Sequence, residues 1–211
     1  MPVKAVIFDY IGTLVNCRGY NMEDSENKLY SALFDEGFTV TKEKFLEEYN
    51  RAHQKYRVVR YEQHREVTNA IWVAEALGNL GFKVAPNDYR IQDALNVFFK
   101  AFIETLELRD GAKKLVNTAA QRSRVGLISN FTYSPVIYKS LRRLRFDEPF
   151  QAVVVSEAHG WRKPSKRIFE SALTKLQVKP CEAVYVGDSP IEDIKGAKDA
   201  GLKAVFVPSQ F

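Results

Sequence analysis

The sequence predicts a doubly wound α/β core with a central parallel sheet and one inserted all-helical domain. Three observations lead there. A short apolar, β-branched run near the start, Val3 to Phe8, stops at Asp9 and a loop through Gly12. Residues 16 to 105 carry helical periodicity and no strong strand pattern. From Asp110 onward strand-like runs alternate with helical ones, the order that gives parallel strands joined by right-handed crossovers. The expected division is a core domain from 1-15 and 106-211 and a helical domain from 16-105.

The first run reads as a buried strand feeding a loop, so Asp9 sits where the strand ends. Strand C-terminal ends face the ligand crevice in open parallel sheets. A carboxylate there needs a partner, a cation or a substrate, or else serves as a structural cap. In the inserted region Phe45, Tyr49, Ala52 and Tyr56 recur at helical spacing, as do Ala70, Val73, Ala74 and Leu77. Gly37 and Gly81 mark helix ends, and Pro86-Asn87-Asp88 starts a helix whose Leu95, Phe98, Phe99 and Phe102 read as packing residues. Arg57 to Arg65 reads as a solvated helix face.

In the second half Asp110 caps a helix through Leu115, and Val125 to Ile128 is a strand ending at Ser129-Asn130. Ser134-Pro135 opens the next helix, with serine as cap and proline in the first turn. Val153 to Val155 is a strand followed by a loop holding Trp161, Arg162, Lys163 and Pro164. Ser165 caps a helix through Ile168, Phe169, Ala172 and Leu176, and Ala183 to Val186 is a strand ending at Gly187-Asp188. Ser189-Pro190-Ile191-Glu192 has the form of a capping box, Gly201 stops the helix it begins, and Ala204 to Val207 is the last strand.

With 211 residues, 45% of them hydrophobic and 27% charged, the chain can bury one sizeable core plus an insertion. Cys17 and Cys181 are too far apart in sequence to form a metal-binding spacing or a disulfide framework. No signal-like start and no membrane-length apolar run is present, so a soluble, cytoplasmic protein with no membrane partner is expected. The net charge of +5 is spread through interleaved basic and acidic residues. Even the densest group, Arg142-Arg143-Leu144-Arg145, reads as a solvated helix face. That argues against nucleic acid and is compatible with a small phosphate-bearing substrate.

Four strand ends or following loops carry polar groups: Asp9 with Thr13, Ser129 with Asn130, Lys163, and Asp188 with Asp193. Taken singly each has an ordinary structural role; their common placement does not. In order, Phe8-Asp9-Tyr10-Ile11-Gly12-Thr13-Leu14, Ile128-Ser129-Asn130, Lys163-Pro164 and Gly187-Asp188-Ser189-Pro190-Ile191-Glu192-Asp193-Ile194 resemble the motifs of the haloacid dehalogenase (HAD) superfamily. Its members are mostly phosphohydrolases with a Rossmann-type core and a helical cap.

The resemblance implies a role for each residue. Asp9 would be the nucleophile, forming a covalent aspartyl intermediate. Asp9, Asp188 and the backbone carbonyl of Ile11 would hold Mg²⁺, a hard cation suited to oxygen ligands. Lys163 would offset the charge of the phosphoryl group, and Ser129 would donate a hydrogen bond to it. Thr13 and Asn130 would line the substrate, and Asp193 would hold Lys163 or a metal-bound water in place.

The chain departs from the family's phosphatases at one position. They carry a second Asp two residues after the nucleophile, which protonates the leaving group, and this chain has Ile11. Three readings fit this pattern: a Mg²⁺-dependent phosphatase or phosphotransferase for substrates with good leaving groups, a 2-haloacid dehalogenase, or a catalytically impaired protein that binds a phosphorylated ligand or a partner protein. The dehalogenase reading gains from Ile11, because halide leaves without a proton, and loses from Asp188, which family dehalogenases lack.

Overall fold

The computed structural model describes Pro2–Ser209 and divides into two compact units, one of Met1–Arg18 with Leu106–Phe211 and one of Gly19–Thr105. The first unit is built on a five-stranded parallel sheet. Its strands are β1 (Ala5–Phe8), β4 (Arg124–Ser129), β5 (Ala152–Val155), β6 (Ala183–Gly187) and β7 (Lys203–Phe206), in the order β5-β4-β1-β6-β7. β1 is central, and Ile7 pairs in register with Gly126 on one side and Tyr185 on the other. From β1 the chain winds outward through β4 to β5, then returns to the opposite side of β1 with β6. The winding direction reverses at that return, where such sheets bind ligands.

Near-continuous apolar strands mean a sheet covered on both faces. Helix α8 (Lys166–Leu176) buries Ile168, Phe169, Ala172, Leu173 and Leu176 against β4 and β5. These residues share one hydrophobic core with Ala5, Ile7, Ile128 and Tyr185. Truncating Phe169 to alanine there should cost about 3 to 5 kcal/mol. The remaining α-helices among the described residues of this unit are α5 (Ala112–Ala120), α6 (Ser134–Arg143), α7 (Ser156–His159) and α9 (Gly196–Asp199).

Several local expectations are revised. Residues 16 and 17 are extended: Val15–Cys17 (β2) pairs antiparallel with Leu106–Leu108 (β3) in a ribbon too short to leave a periodic signal. The cap of α5 is Gly111 at φ +79° rather than Asp110. Ser165 occupies the cap position of α8 without a capping bond. Ser134 lies inside α6, whose cap is Tyr133, because the Ser134 amide and hydroxyl are both taken by the Glu157 carboxylate. Ser189 does accept from the Glu192 amide at 3.1 Å, but Glu192 turns its carboxylate elsewhere, so only half the capping box forms. The turns that Ser189 opens are a wide π-helical segment, Pro190–Lys195.

The second unit is helical: α1 (Met22–Asp35), α2 (Lys42–Glu62), α3 (Asn69–Asn79) and α4 (Tyr89–Thr105). α1 packs on α4 and α2 on α3. The apolar positions read from spacing are buried on α3 and α4, apart from half-buried Phe102, while on α2 Tyr56 stays half-buried. The expected solvated face of α2 is interrupted by Arg60, which is 8% exposed and pairs with Glu66 at 2.7 Å. No helix among the described residues is long and apolar enough to cross a membrane.

Candidate active site at the carboxyl end of the sheet

β1 and β6 are neighbours, so the residues just past their ends are brought side by side. Asp9 continues the pairing by one step, its amide donating to the Val186 carbonyl at 2.8 Å. Asp188 follows the end of β6, and Asp193 lies one turn into the helical segment behind it. One oxygen from each of Asp9, Asp188 and Asp193 lies within 4.8 Å of the others.

Lys163 reaches this cluster from the loop after α7. Its Nζ donates to Asp9 Oδ1 and to Asp193 Oδ1, each at 2.6 Å, and to the Tyr185 hydroxyl at 3.0 Å. Asp193 is fully committed: Oδ1 also accepts from Tyr185, and Oδ2 accepts from the amides of Asp188 and Ser189 at 3.0 and 2.8 Å. Asp9 is not. Its Oδ2 is buried and has no partner.

The electrostatics follow from burial and from this unequal sharing. Desolvation pushes Asp9 up to about 7 against the opposing pull of the Lys163 charge, with Asp193 and then Asp188 adding to the rise. Burial alone would favour a neutral Lys163 amine. Asp193 and Asp9 more than reverse that and hold it well above the usual lysine range. Burial, then the Asp193 charge, keeps the Tyr185 phenol protonated far above its ordinary range.

Two glycines make the close approaches possible. A Cβ on Gly12, at φ +96°, would sit 2.4 Å from Asp188 Oδ2, and one on Gly187 would sit 2.4 Å from Asp193 Cγ. Thr13 donates to Asp188 Oδ1 at 3.2 Å. The cradle therefore holds carboxylates where a side chain would otherwise stand. Asp9, Asp188 and Asp193 each bring a hard oxygen to this cluster, a donor set that fits Mg²⁺. With Asp193 spent on protein N–H and O–H groups, Asp9 and Asp188 are the carboxylates left for a cation.

The other residues singled out from sequence lie at the neighbouring strand end and in the adjoining loops. Ser129 is buried at the end of β4, and Ile11 forms an isolated bridge with Val15. Asn130 uses its side chain to grip the Lys163 loop, accepting from the Lys163 amide at 2.8 Å and donating to the Lys163 carbonyl at 3.0 Å. Asn130 also donates to Glu192, which accepts from Arg162 as well, each at 3.0 Å. Sequence reasoning missed Glu192 and Tyr185 as site components. Glu192 looked like half of a capping box, and Tyr185 like one more residue of a buried strand.

The geometry agrees with what is found by comparison. A family model of haloacid dehalogenase-like hydrolases matches residues 3–201. A glyceraldehyde 3-phosphate phosphatase of Methanothermobacter thermautotrophicus is 30% identical over 224 residues, covering 99% of this chain and 87% of that protein. A phosphoserine phosphatase of Thermus thermophilus is 45% identical over 58 residues, 28% of this chain and 23% of that protein. Among solved structures, a 2-haloacid dehalogenase from Pseudomonas syringae pv. Tomato superposes with a TM-score of 0.67 at 25% identity, covering 97% of this chain and 86% of that one.

Proposed function

Because the chain belongs to the haloacid dehalogenase-like hydrolases, we propose that it is a Mg²⁺-dependent phosphatase or phosphotransferase in which Asp9 attacks phosphorus. The observation that carries this reading is the condition of Asp9: buried, with Oδ1 held by Lys163 and Oδ2 unpartnered. Oδ2 is the atom left to make a bond. In the proposed reaction the Oδ2–phosphorus bond forms as the bond from phosphorus to the leaving oxygen breaks. Water then cleaves the aspartyl-phosphate to return the carboxylate and inorganic phosphate.

Asp9, Asp188 and the Ile11 carbonyl would hold Mg²⁺, which when bound offsets phosphoryl charge. Lys163 supplies a fixed positive charge beside the reacting oxygen, and Asp193 keeps it there. Ser129, Thr13 and the loop at Asn130 would line the phosphoryl group. The helical unit is the part of the chain that would act as a cap and select the substrate. A small phosphorylated molecule is the substrate class supported by the named activities of the two phosphatase relatives.

Ile11 restricts the chemistry. A positioned acid is worth about 10² to 10⁴ in rate, and isoleucine cannot supply a proton to the leaving oxygen. Substrates whose leaving group departs readily as an anion are therefore favoured, such as aryl and acyl phosphates. The test is phosphate release from an aryl phosphate and from acetyl phosphate, with and without Mg²⁺. Slow, metal-dependent release is expected, and its absence with both substrates rejects the reading. Ile11→Asp should raise turnover if the missing acid is what limits the rate.

A 2-haloacid dehalogenase is the second reading, supported by Ile11 and by the solved structural relative. The third Asp in the cluster stands against it, because an unneutralised Asp188 would repel an anionic haloacid. Halide release from 2-haloacids separates the two.

A further inference from the structure

We propose that Tyr185 is a positioning residue for this site, holding the Lys163 ammonium so that one of its N–H bonds fixes the Asp9 carboxylate. The proposal rests on the reading of Asp9 as the nucleophile. An ammonium has three N–H bonds. At Lys163 two go to Asp9 Oδ1 and Asp193 Oδ1, and the third goes to the Tyr185 oxygen at 3.0 Å. The Tyr185 hydroxyl donates its own hydrogen bond to Asp193 Oδ1 at 3.1 Å. Every N–H of Lys163 is thus aimed at a fixed protein atom, and rotation about its last carbon–nitrogen bond is stopped.

A third acceptor is needed there, and few groups would serve. Another carboxylate would add negative charge to a cluster that already has Asp9, Asp188 and Asp193 against one lysine. A water could drift as substrate enters. A neutral phenol accepts without adding charge, and this one is packed in place. Tyr185 is fully buried on β6, paired in register with Ile7, with its ring edge-on to Phe169 at 5.2 Å and 73°.

Without the hydroxyl the ammonium keeps its two carboxylates and loses its third point of support. It can then turn and settle towards Asp193, which presents a carboxylate anchored by two amides. The Asp9 carboxylate loses a fixed orientation, and Oδ2 with it. Misplacing a reacting group by about 1 Å costs on the order of 10² in rate. The loss should fall on kcat, because Tyr185 sits behind Lys163 rather than among the groups proposed to line the substrate.

The test compares wild type with Tyr185→Phe and with 3-fluorotyrosine at the same position. The readouts are kcat and KM on an aryl phosphate, the Lys163 ammonium signal by ¹⁵N NMR, and thermal stability. Tyr185→Phe should lower kcat about tenfold to a hundredfold with KM within about threefold, and should shift the Lys163 signal or broaden it away. Fluorination, which weakens the hydroxyl as an acceptor, should displace the signal in the same sense by less. An unchanged Lys163 signal overturns the proposal, as does a raised KM with unchanged kcat. If wild type fails to turn over the aryl phosphate, the reading of the site fails while the NMR comparison still decides the role of Tyr185. If Tyr185→Phe fails to fold, the fluorotyrosine protein decides it.

Discussion

Each unit of the molecule buries an ion cluster, and the two differ in their charge balance. In the helical unit Arg60 Nε meets Glu66 Oε1 at 2.7 Å, with the side chains 10% and 0% exposed, and the guanidinium lies 5.6 Å from the Trp72 ring centroid. A cation and a carboxylate meet directly there, and the same Glu66 oxygen also accepts the Val67 amide. In the sheet unit one buried lysine faces Asp9 and Asp193 directly, with Asp188 beside them. One cation there stands against three carboxylates. Interior charge left unbalanced is met by protonation or by a cation, and the rise of Asp9 to about 7, caused first by burial and then by its acidic neighbours against the pull of Lys163, is the first of these. Burial and short distances alone therefore do not separate a clasp from a reactive site. The net charge of the cluster does.

The largest expected effect comes from breaking the unbalanced cluster at its reactive member. Asp9→Asn should reduce metal-dependent phosphate release by at least about 10³-fold, since a missing nucleophile cannot be replaced by binding alone, and it should leave the fold intact. Turnover that survives the substitution would remove Asp9 from the mechanism. The matching change in the Arg60–Glu66 pair should act on stability. Arg60→Met removes the guanidinium from beside the buried Glu66 carboxylate and should cost about 3 to 5 kcal/mol in denaturant unfolding, with turnover per folded molecule unchanged. If its effect fell on turnover instead, Arg60 would belong to the functional surface and not to the scaffold.

The difference between the clusters also explains what could be read from the sequence. The strands of the sheet were legible because parallel strands buried on both faces appear as short β-branched runs, as at Val125 to Ile128 and Ala183 to Val186. Asp9, Ser129 and Asp188 stood out because polar residues recur at or just past the ends of such runs, and Lys163 because it lies in a loop after one of them and matches a motif of the resembled family. Tyr185 and Glu192 gave no such contradiction: a tyrosine in a strand is ordinary, and Glu192 had a ready local explanation. Arg60 was illegible for the same reason, because its neighbours on α2 are solvated and its partner Glu66 lies beyond the helix end. The ribbon of β2 and β3 was lost because three residues cannot display a period. Sequence thus exposes residues that violate a local pattern and hides those whose role depends on an element that packs against them.

Adding the missing counter-charge should sharpen the contrast. A ligand that binds only the folded state stabilises it by about 2.7 kcal/mol at a hundred times its dissociation constant. Mg²⁺ should therefore raise the melting temperature of the wild type and of Arg60→Met alike. Asp188→Asn should lose most of the increment, because it removes one of the two carboxylates proposed to hold the cation. An equal increment in all three proteins would mean that Mg²⁺ binds elsewhere.

The smallest effect is a slope. In the metal-free protein Asp9 holds its proton to about 7, against an ordinary value of 3.8, mainly because burial disfavours the charged form. Between those limits the folded state binds more protons than the unfolded chain. Linkage then requires that the Asp9 contribution to stability decline as pH rises through that window. The decline can reach about 1.4 kcal/mol per pH unit for one proton, less where neighbouring groups share the titration. Other groups titrate over the same range, so the informative quantity is wild type minus Asp9→Asn, measured by denaturant unfolding at steps from pH 4 to 8 without Mg²⁺. That difference should fall steadily with pH and level off above about 7. Saturating Mg²⁺ should flatten it, because a bound cation stabilises the ionised carboxylate. A difference that stays level without metal would mean that Lys163 alone suffices to keep Asp9 ionised and that the cluster is balanced after all.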